Sequence, residues 1–129
     1  MASEPQNGLR TFKTAWFAKA ARKAGLADRA LCAAMCEVAN GQSDDLGGGV
    51  FKKRLNRNRH RSIILTKAGA YWLYQYPFAK QDRANIEDDE PRAFRQLANA
   101  FGKTSEADIA RLVSTGHITE ICDGGEADL

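Results

Sequence analysis

The N-terminal third of the chain carries apolar residues at helical spacing. One apolar stripe begins after Thr14 and a second begins near Asp28, and each recurs at three- and four-residue intervals, as in helices that bury one face. The stripes consist of Trp16, Phe17, Ala20, Ala21 and Ala24, and of Leu31, Ala34, Met35 and Val38. Gly25 is a candidate C-cap between them. The pattern predicts a helical hairpin, preceded by a short strand at residues 10–13.

The pattern changes after a loop predicted at residues 44–49, where three glycines interrupt regular structure. Segments 50–55, 61–66 and 70–78 are predicted to be strands, since the second contains the β-branched-rich run Ile63–Leu65 and the third is rich in aromatic residues. Both alternating faces of the third segment are apolar, which indicates a central strand covered on both sides.

Helical spacing returns in the last third of the chain. Phe94, Leu97, Ala98 and Phe101 form a stripe in a predicted helix over residues 86–101, and a last helix is predicted over 105–114. Ile118 and Ile121 indicate a short extended segment. We therefore expect an α+β fold, with an N-terminal helical hairpin packed on a small, largely antiparallel sheet and with C-terminal helices. The single domain is expected over residues 10–122, between flexible tails at 1–9 and 123–129.

Size and composition narrow the possible classes of protein. A chain of 129 residues with 43% hydrophobic residues suits one globular domain. No apolar run approaches the roughly 20 residues that span a bilayer, so we expect a cytoplasmic protein that does not bind membranes. The odd count of Cys32, Cys36 and Cys122 indicates free thiols in a reducing compartment. With two histidines and no metal-binding motif, we expect neither a metal nor a cofactor.

The net charge of +3 conceals an uneven distribution. Residues 1–43 carry six bases and three acids, residues 44–101 eleven bases and seven acids, and residues 102–129 two bases and six acids. The segment 51–61, FKKRLNRNRHR, contains six Lys or Arg and no acid. Such a run is typical of a solvated face or of a site for an acidic partner, and also of a phosphate-binding surface.

Several sequence blocks resemble the RelE/ParE superfamily of toxins from toxin–antitoxin systems, and most closely its HigB/RelE-like branch. The blocks are LGGGVFKKRL at 46–55, RSIIL at 61–65, FAKQDRANI at 78–86 and ITEIC at 118–122. The resemblance implies a metal-independent toxin that cleaves mRNA on the ribosome and is silenced by a cognate antitoxin protein. The connector 56–60 is shorter than the corresponding loop of related toxins, and His60 stands where they have an aromatic residue.

Cleavage of RNA by its own 2′-hydroxyl needs a proton acceptor, cations that stabilise the phosphate, and a donor to the leaving oxygen. With the family in view, the catalytic candidates are Lys52, Arg54, His60, Arg61 and Lys80. The candidates for RNA binding are Lys53, Arg57, Arg59, Tyr74, Tyr76 and Arg83. Strand alternation draws Lys53 inward with Phe51 and Leu55, so Lys52 and Arg54 rank above it.

Two other functions stay open at this point. ParE-like members of the superfamily bind and inhibit DNA gyrase without catalysis, and a degenerate module would bind RNA without cutting it. A tyrosine in an apolar strand is also more often a core residue than a catalytic one. The sequence leaves the oligomeric state open.

Overall fold

The computed structural model describes residues 10–55, 59–67, 70–79 and 90–122. Within them the elements are, in chain order, β1 (Arg10–Thr14), α1 (Ala15–Ala24), α2 (Asp28–Ala39), β2 (Asp44–Gly47), β3 (Val50–Leu55), β4 (His60–Lys67), β5 (Tyr71–Ala79), α3 (Glu90–Gly102), α4 (Glu106–Ser114) and β6 (Ile118–Ile121). The predicted α+β class is confirmed. The predicted tails at 1–9 and 123–129 lie outside the described residues. No helix in the described part of the chain is both long and apolar enough to cross a bilayer.

The strands form one sheet in the order β2-β3-β4-β5-β1-β6. Every neighbouring pair is antiparallel except β1 and β5, which run parallel. The N-terminal strand β1 therefore lies between β5 and the C-terminal strand β6. This leaves β5 in the interior of the sheet, as its two apolar faces predict.

Helices cover both faces of the sheet and create two hydrophobic clusters. The first cluster lies between the sheet and α1 and α2, and includes Phe17, Leu31, Ile64 and Tyr74. The second lies between the sheet and α3 and α4, and includes Val50, Ile63, Phe101 and Ile109. We call these two sides the hairpin face and the α3 face of the sheet.

Local signals in the sequence begin and end the helical hairpin. The Thr14 hydroxyl accepts a hydrogen bond from the backbone N–H of Phe17 at 2.9 Å, which caps the first helical turn of α1. Gly25 ends α1 in the left-handed conformation, with φ of 75°. These caps orient α1 directly off the end of β1, so the first turn of the helix lies beside the sheet.

The prediction of a loop over residues 44–49 is wrong in its first half. Asp44–Gly47 forms the edge strand β2, which pairs with β3, and only Gly48 and Gly49 remain as the turn. The Asp45 carboxylate accepts a hydrogen bond from the N–H of Gly47 at 2.8 Å. Aspartates and glycines are poor strand formers alone, so the pairing with β3 overrides their preference.

The expectation of three free thiols is also wrong. Cys32 in α2 and Cys122 after β6 form a disulfide, with Cα atoms 5.4 Å apart and 90 positions apart in sequence. Cys36 is the free cysteine and is exposed. The pairing arises because β6 joins the sheet beneath α2, a proximity that the spacing of cysteines does not reveal. With two thiols paired, the cysteines no longer support a reducing compartment.

Candidate functional site

The register of β3, β4 and β5 gathers cations on the α3 face. Lys52 lies opposite Ile63, Ile63 lies opposite Tyr76, and Arg54 lies opposite Arg61. Directly opposed residues in antiparallel strands share a face. Since Ile63 belongs to the cluster beneath α3, Lys52, Arg54, Arg61 and Tyr76 all lie on that side. We call Lys52, Arg54 and Arg61 the cationic row.

Arg54 and Arg61 are directly opposed across β3 and β4. Arg61 is 7% exposed, whereas Arg54 is exposed. The Cβ atoms of such a pair lie about 4.5–5.5 Å apart, a distance at which like charges repel. An anion bound between two guanidinium groups converts that repulsion into attraction, and each guanidinium offers a planar fork of donors that matches phosphate. The pair is therefore suited to hold a phosphate group.

Lys52 lies next to an acid at the edge of the sheet. Its Nζ atom is 3.9 Å from Oδ2 of Asp44, the residue opposite it on β2. The Asp44 side chain is exposed, so this long ion pair is weak. The contact keeps the ammonium group over the α3 face without holding it tightly.

Lys53, predicted to bind RNA, lies on the hairpin face. Its Nζ atom is 2.7 Å from Oε1 of Glu37 on α2 and donates to the carbonyl oxygen of Gln42 at 2.9 Å. The inward orientation predicted from strand alternation is confirmed. The structure therefore separates Lys53 from the cationic row and places it in the contact between β3 and α2.

His60 is also on the hairpin face, because it lies opposite Leu55 of the first cluster. The structure does not bring this candidate general base together with Arg61, its neighbour in sequence, which points to the α3 face. Arg59 is exposed in the turn that precedes β4. The candidates Arg57, Lys80 and Arg83 lie outside the described residues.

A bulge in β5 separates the two tyrosine candidates. Tyr74 lies opposite Ile64 and Tyr76 opposite Ile63, so Gln75 is an extra residue on β5. The extra residue turns Tyr76 to the α3 face and leaves Tyr74 on the hairpin face. Alternation without a bulge predicts that both share one face.

Tyr74 is wholly buried in the first cluster, so the prediction that it stacks on RNA is wrong. Its hydroxyl donates to the carbonyl oxygen of Leu31 at 2.7 Å and joins β5 to α2. Burial raises the pKa of the Tyr74 phenol far above its usual range, because the phenolate is poorly solvated there. Tyr74 is a structural residue.

Tyr76 lies in a group of three aromatic rings that the sequence did not reveal. Its ring centroid is 5.2 Å from Trp16 with nearly parallel planes, and 5.8 Å from Phe94 of α3. The helical stripe predicts a buried Trp16, yet this side chain is 54% exposed. Trp16 and Phe17 are adjacent and lie about 100° apart around α1, so only one of them faces the sheet fully.

The arrangement on the α3 face can bind a phosphate and position a base. It combines two opposed guanidinium groups, an ammonium group two strands away from Tyr76, and aromatic rings at the end of β5. Single-stranded RNA is recognised by this combination of cations and aromatic surfaces.

No curated protein and no solved structure matches the sequence. Residues 9–121 match the family described as the RelE toxin of the RelE/RelB toxin–antitoxin system. The match spans both helices of the hairpin, the whole sheet and the C-terminal helices. The chain therefore belongs to the RelE toxin family, and it is the toxin component of a toxin–antitoxin module.

Proposed function

We propose that this toxin is a ribosome-dependent mRNA endonuclease that acts without a metal ion. The observation that carries the proposal is the direct opposition of Arg54 and Arg61 on the face that also holds Lys52 and Tyr76. In the proposed reaction the 2′-hydroxyl of one nucleotide attacks the adjacent phosphate, and the bond to the 5′-oxygen of the next nucleotide breaks.

Each residue of the α3 face has a proposed role in this reaction. Arg61 and Arg54 bind the non-bridging oxygens of the phosphate and stabilise the charge that develops as the pentacoordinate phosphate forms. The proton of the attacking 2′-hydroxyl passes to water, and Lys52 donates a proton to the leaving 5′-oxygen. Tyr76 orients the nucleotide. Lys80 and Arg83 follow β5 in sequence and remain candidates for the same reaction.

Two partners follow from the proposal. The family pairs each toxin with an antitoxin, and we propose that the antitoxin of this chain silences it by covering the cationic row. The ribosome and its bound mRNA are the second partner, which places the toxin in the cytoplasm when it acts.

The experiment measures cleavage of mRNA on purified ribosomes. We expect the wild-type protein to cut the message, and Arg61→Ala to reduce the rate by about 100- to 1000-fold through loss of a phosphate contact. Lys23→Ala and Arg29→Ala are matched controls, since both residues are exposed on the helical hairpin. They remove one cation each and should leave the rate unchanged.

Two results would contradict the proposal. Intact message with wild-type protein, together with inhibition of DNA supercoiling, would identify a gyrase inhibitor. Salt-sensitive binding of RNA without any cleavage would identify a non-catalytic module.

A further inference from the structure

Trp16 is the most exposed large hydrophobic residue in the described part of the chain, at 54%. The second tryptophan, Trp72, is buried in the first cluster at 6% exposure. Leu97 of α3 is also exposed, and Phe94 is half-buried beside Tyr76. Trp16 therefore offers a flat aromatic surface to solvent beside the ring of Tyr76.

The indole of Trp16 is held in place before any ligand binds. Trp16 is the second residue of α1, whose first turn is capped by Thr14. Its ring lies 5.2 Å from the ring of Tyr76 at an interplanar angle of 8°, and Tyr76 in turn contacts Phe94. A side chain that is already ordered loses little conformational entropy when a ligand stacks on it.

The cationic row lies one or two strands from Tyr76, the ring on which Trp16 stacks. Tyr76 is separated from Lys52 by one intervening strand, β4, so their backbones lie about 10 Å apart. Arg61 is two residues from Ile63, the partner of Tyr76, on the same face.

We propose that the exposed face of Trp16 is a stacking platform for one unpaired RNA base, next to the nucleotides whose phosphates bind the cationic row. The proposal rests on the proposed function, because it assigns a base-binding residue to the same RNA site. It extends that function by naming a contact on α1, outside the strands that carry the cations.

The charge of the surroundings favours RNA over a hydrophobic protein segment as the occupant. A stacked nucleotide brings its own phosphates towards Lys52, Arg54 and Arg61, so stacking and charge neutralisation reinforce each other. Stacking is also tolerant of base identity, since every base has a flat face.

The binding experiment uses tryptophan fluorescence with a short single-stranded RNA. In the Trp72→Phe variant, Trp16 is the only indole, and we expect its emission to be quenched as RNA binds. Trp16→Ala should weaken binding by roughly 5- to 150-fold, the range for loss of one base–aromatic stack. Trp16→Phe keeps an aromatic ring and should retain most of the affinity, whereas Trp16→Leu keeps apolar bulk and should behave like Trp16→Ala.

A second measurement identifies the stacked base. RNAs with one abasic nucleotide are compared, with the abasic position moved along the strand. At one position the wild-type protein should lose about as much affinity as Trp16→Ala loses with intact RNA. The Trp16→Ala variant should bind this abasic RNA as tightly as it binds intact RNA, because it already lacks the stacking contact. Circular dichroism and thermal unfolding of each variant check that the fold is retained.

The outcomes separate this proposal from the proposed function. If Trp16→Ala binds RNA as wild type does while Arg61→Ala binds weakly, the platform is wrong and the RNA site stands. If Trp16→Ala loses affinity only for the antitoxin, the surface belongs to that protein and the platform is likewise wrong. If the wild-type protein neither binds RNA nor cleaves mRNA on ribosomes, both proposals fail.

Discussion

Lys52 and Lys53 are neighbours in sequence with opposite surroundings. Lys52 has one long contact, to Asp44, and lies with Arg54 and Arg61 on the α3 face. Lys53 is 11% exposed at its side chain and makes two short contacts, to Glu37 and to the Gln42 carbonyl. The Lys52 side chain is 17% exposed, so the two lysines differ little in burial. They differ in their contacts: Lys52 lies beside two arginines, whereas Lys53 joins a strand to a helix.

Substitution of each lysine by alanine should separate activity from stability. Lys52→Ala should abolish mRNA cleavage and change the free energy of unfolding little. Lys53→Ala should lower the free energy of unfolding by about 1 kcal/mol and retain cleavage, because it loses one ion pair and one hydrogen bond to a carbonyl. Urea unfolding and a ribosomal cleavage assay measure the two effects. Loss of cleavage in a folded Lys53→Ala protein would place Lys53 in the RNA site.

The buried Tyr74 phenol makes stability depend on alkaline pH. Its pKa is raised in the folded state, mainly by burial, so the folded protein keeps this proton above pH 10 while the unfolded chain releases it. The buried phenol makes its full contribution to the free energy of unfolding below the ordinary tyrosine pKa. As pH rises beyond that pKa, the contribution falls by about 1.4 kcal/mol per pH unit.

The Tyr74→Phe variant tests this dependence. We expect it to be less stable than wild type at neutral pH by about 1–3 kcal/mol, since the Leu31 carbonyl loses its buried donor. Between about pH 10 and 11 the difference should shrink, because phenylalanine has no proton to lose. Urea unfolding at a series of pH values measures both trends. A constant difference across that range would show that Tyr74 does not govern the alkaline transition.

At the scale of the elements, Arg95 of α3 makes a side-chain contact to the hairpin of β2 and β3, in addition to the apolar packing of that hairpin against α3. Nε and Nη2 of Arg95 both donate to the carbonyl oxygen of Leu46, at 3.1 and 2.6 Å. Gly48 lies in the turn and has φ of 63°. The Arg95 side chain fills the space that a Cβ atom at this position would take. The turn thus positions β3, the strand that carries Lys52 and Arg54.

Alanine at Gly48 should disturb this contact. A Cβ atom there would lie 2.9 Å from Cγ of Arg95, in addition to the cost of a left-handed backbone. We expect a loss of about 2–3 kcal/mol in the free energy of unfolding and reduced cleavage. Gly41→Ala is the matched control, since Gly41 has φ of 88° and no atom within 4 Å of its added Cβ. Equal losses for the two variants, measured by thermal unfolding, would show that the Arg95 contact is unimportant.

The elements that carry strong local signals are the ones that the sequence predicted. Strand β4 and the capped helix α1 were predicted because the β-branched run Ile63–Ile64 and the helix caps act over a few residues. The edge strand Asp44–Gly47 was missed because only its partner makes it a strand. The bulge at Gln75 was also missed, because it depends on the register with β4. Without the bulge, Tyr74 and Tyr76 were predicted to share one face of the sheet, whereas they lie on opposite faces.

At the scale of the whole molecule, the disulfide closes nearly the full length of the domain. Cys32 and Cys122 are 90 positions apart, so the bond removes much of the freedom of the unfolded chain. The bond escaped prediction because an odd number of cysteines indicates no partner, whereas the position of β6 beneath α2 supplies one.

Reduction of this bond should destabilise the protein. We expect Cys32→Ser, or a thiol reductant, to lower the free energy of unfolding by roughly 3–5 kcal/mol. Cys36→Ser should have little effect, because Cys36 is exposed and free. Urea unfolding with and without reductant gives the comparison. Identical curves would mean that the two cysteines are not bonded in solution.

The place of β1 in the sheet has a consequence for when the toxin becomes able to act. Strand β1 pairs with residues 71–74 and with residues 118–121, which are made much later than β1 itself. During translation it has no partner until β5 emerges, and its second edge stays open until β6 follows. A message that breaks off early therefore yields a chain whose sheet is incomplete. The sheet becomes complete only after residues 118–121 have left the ribosome.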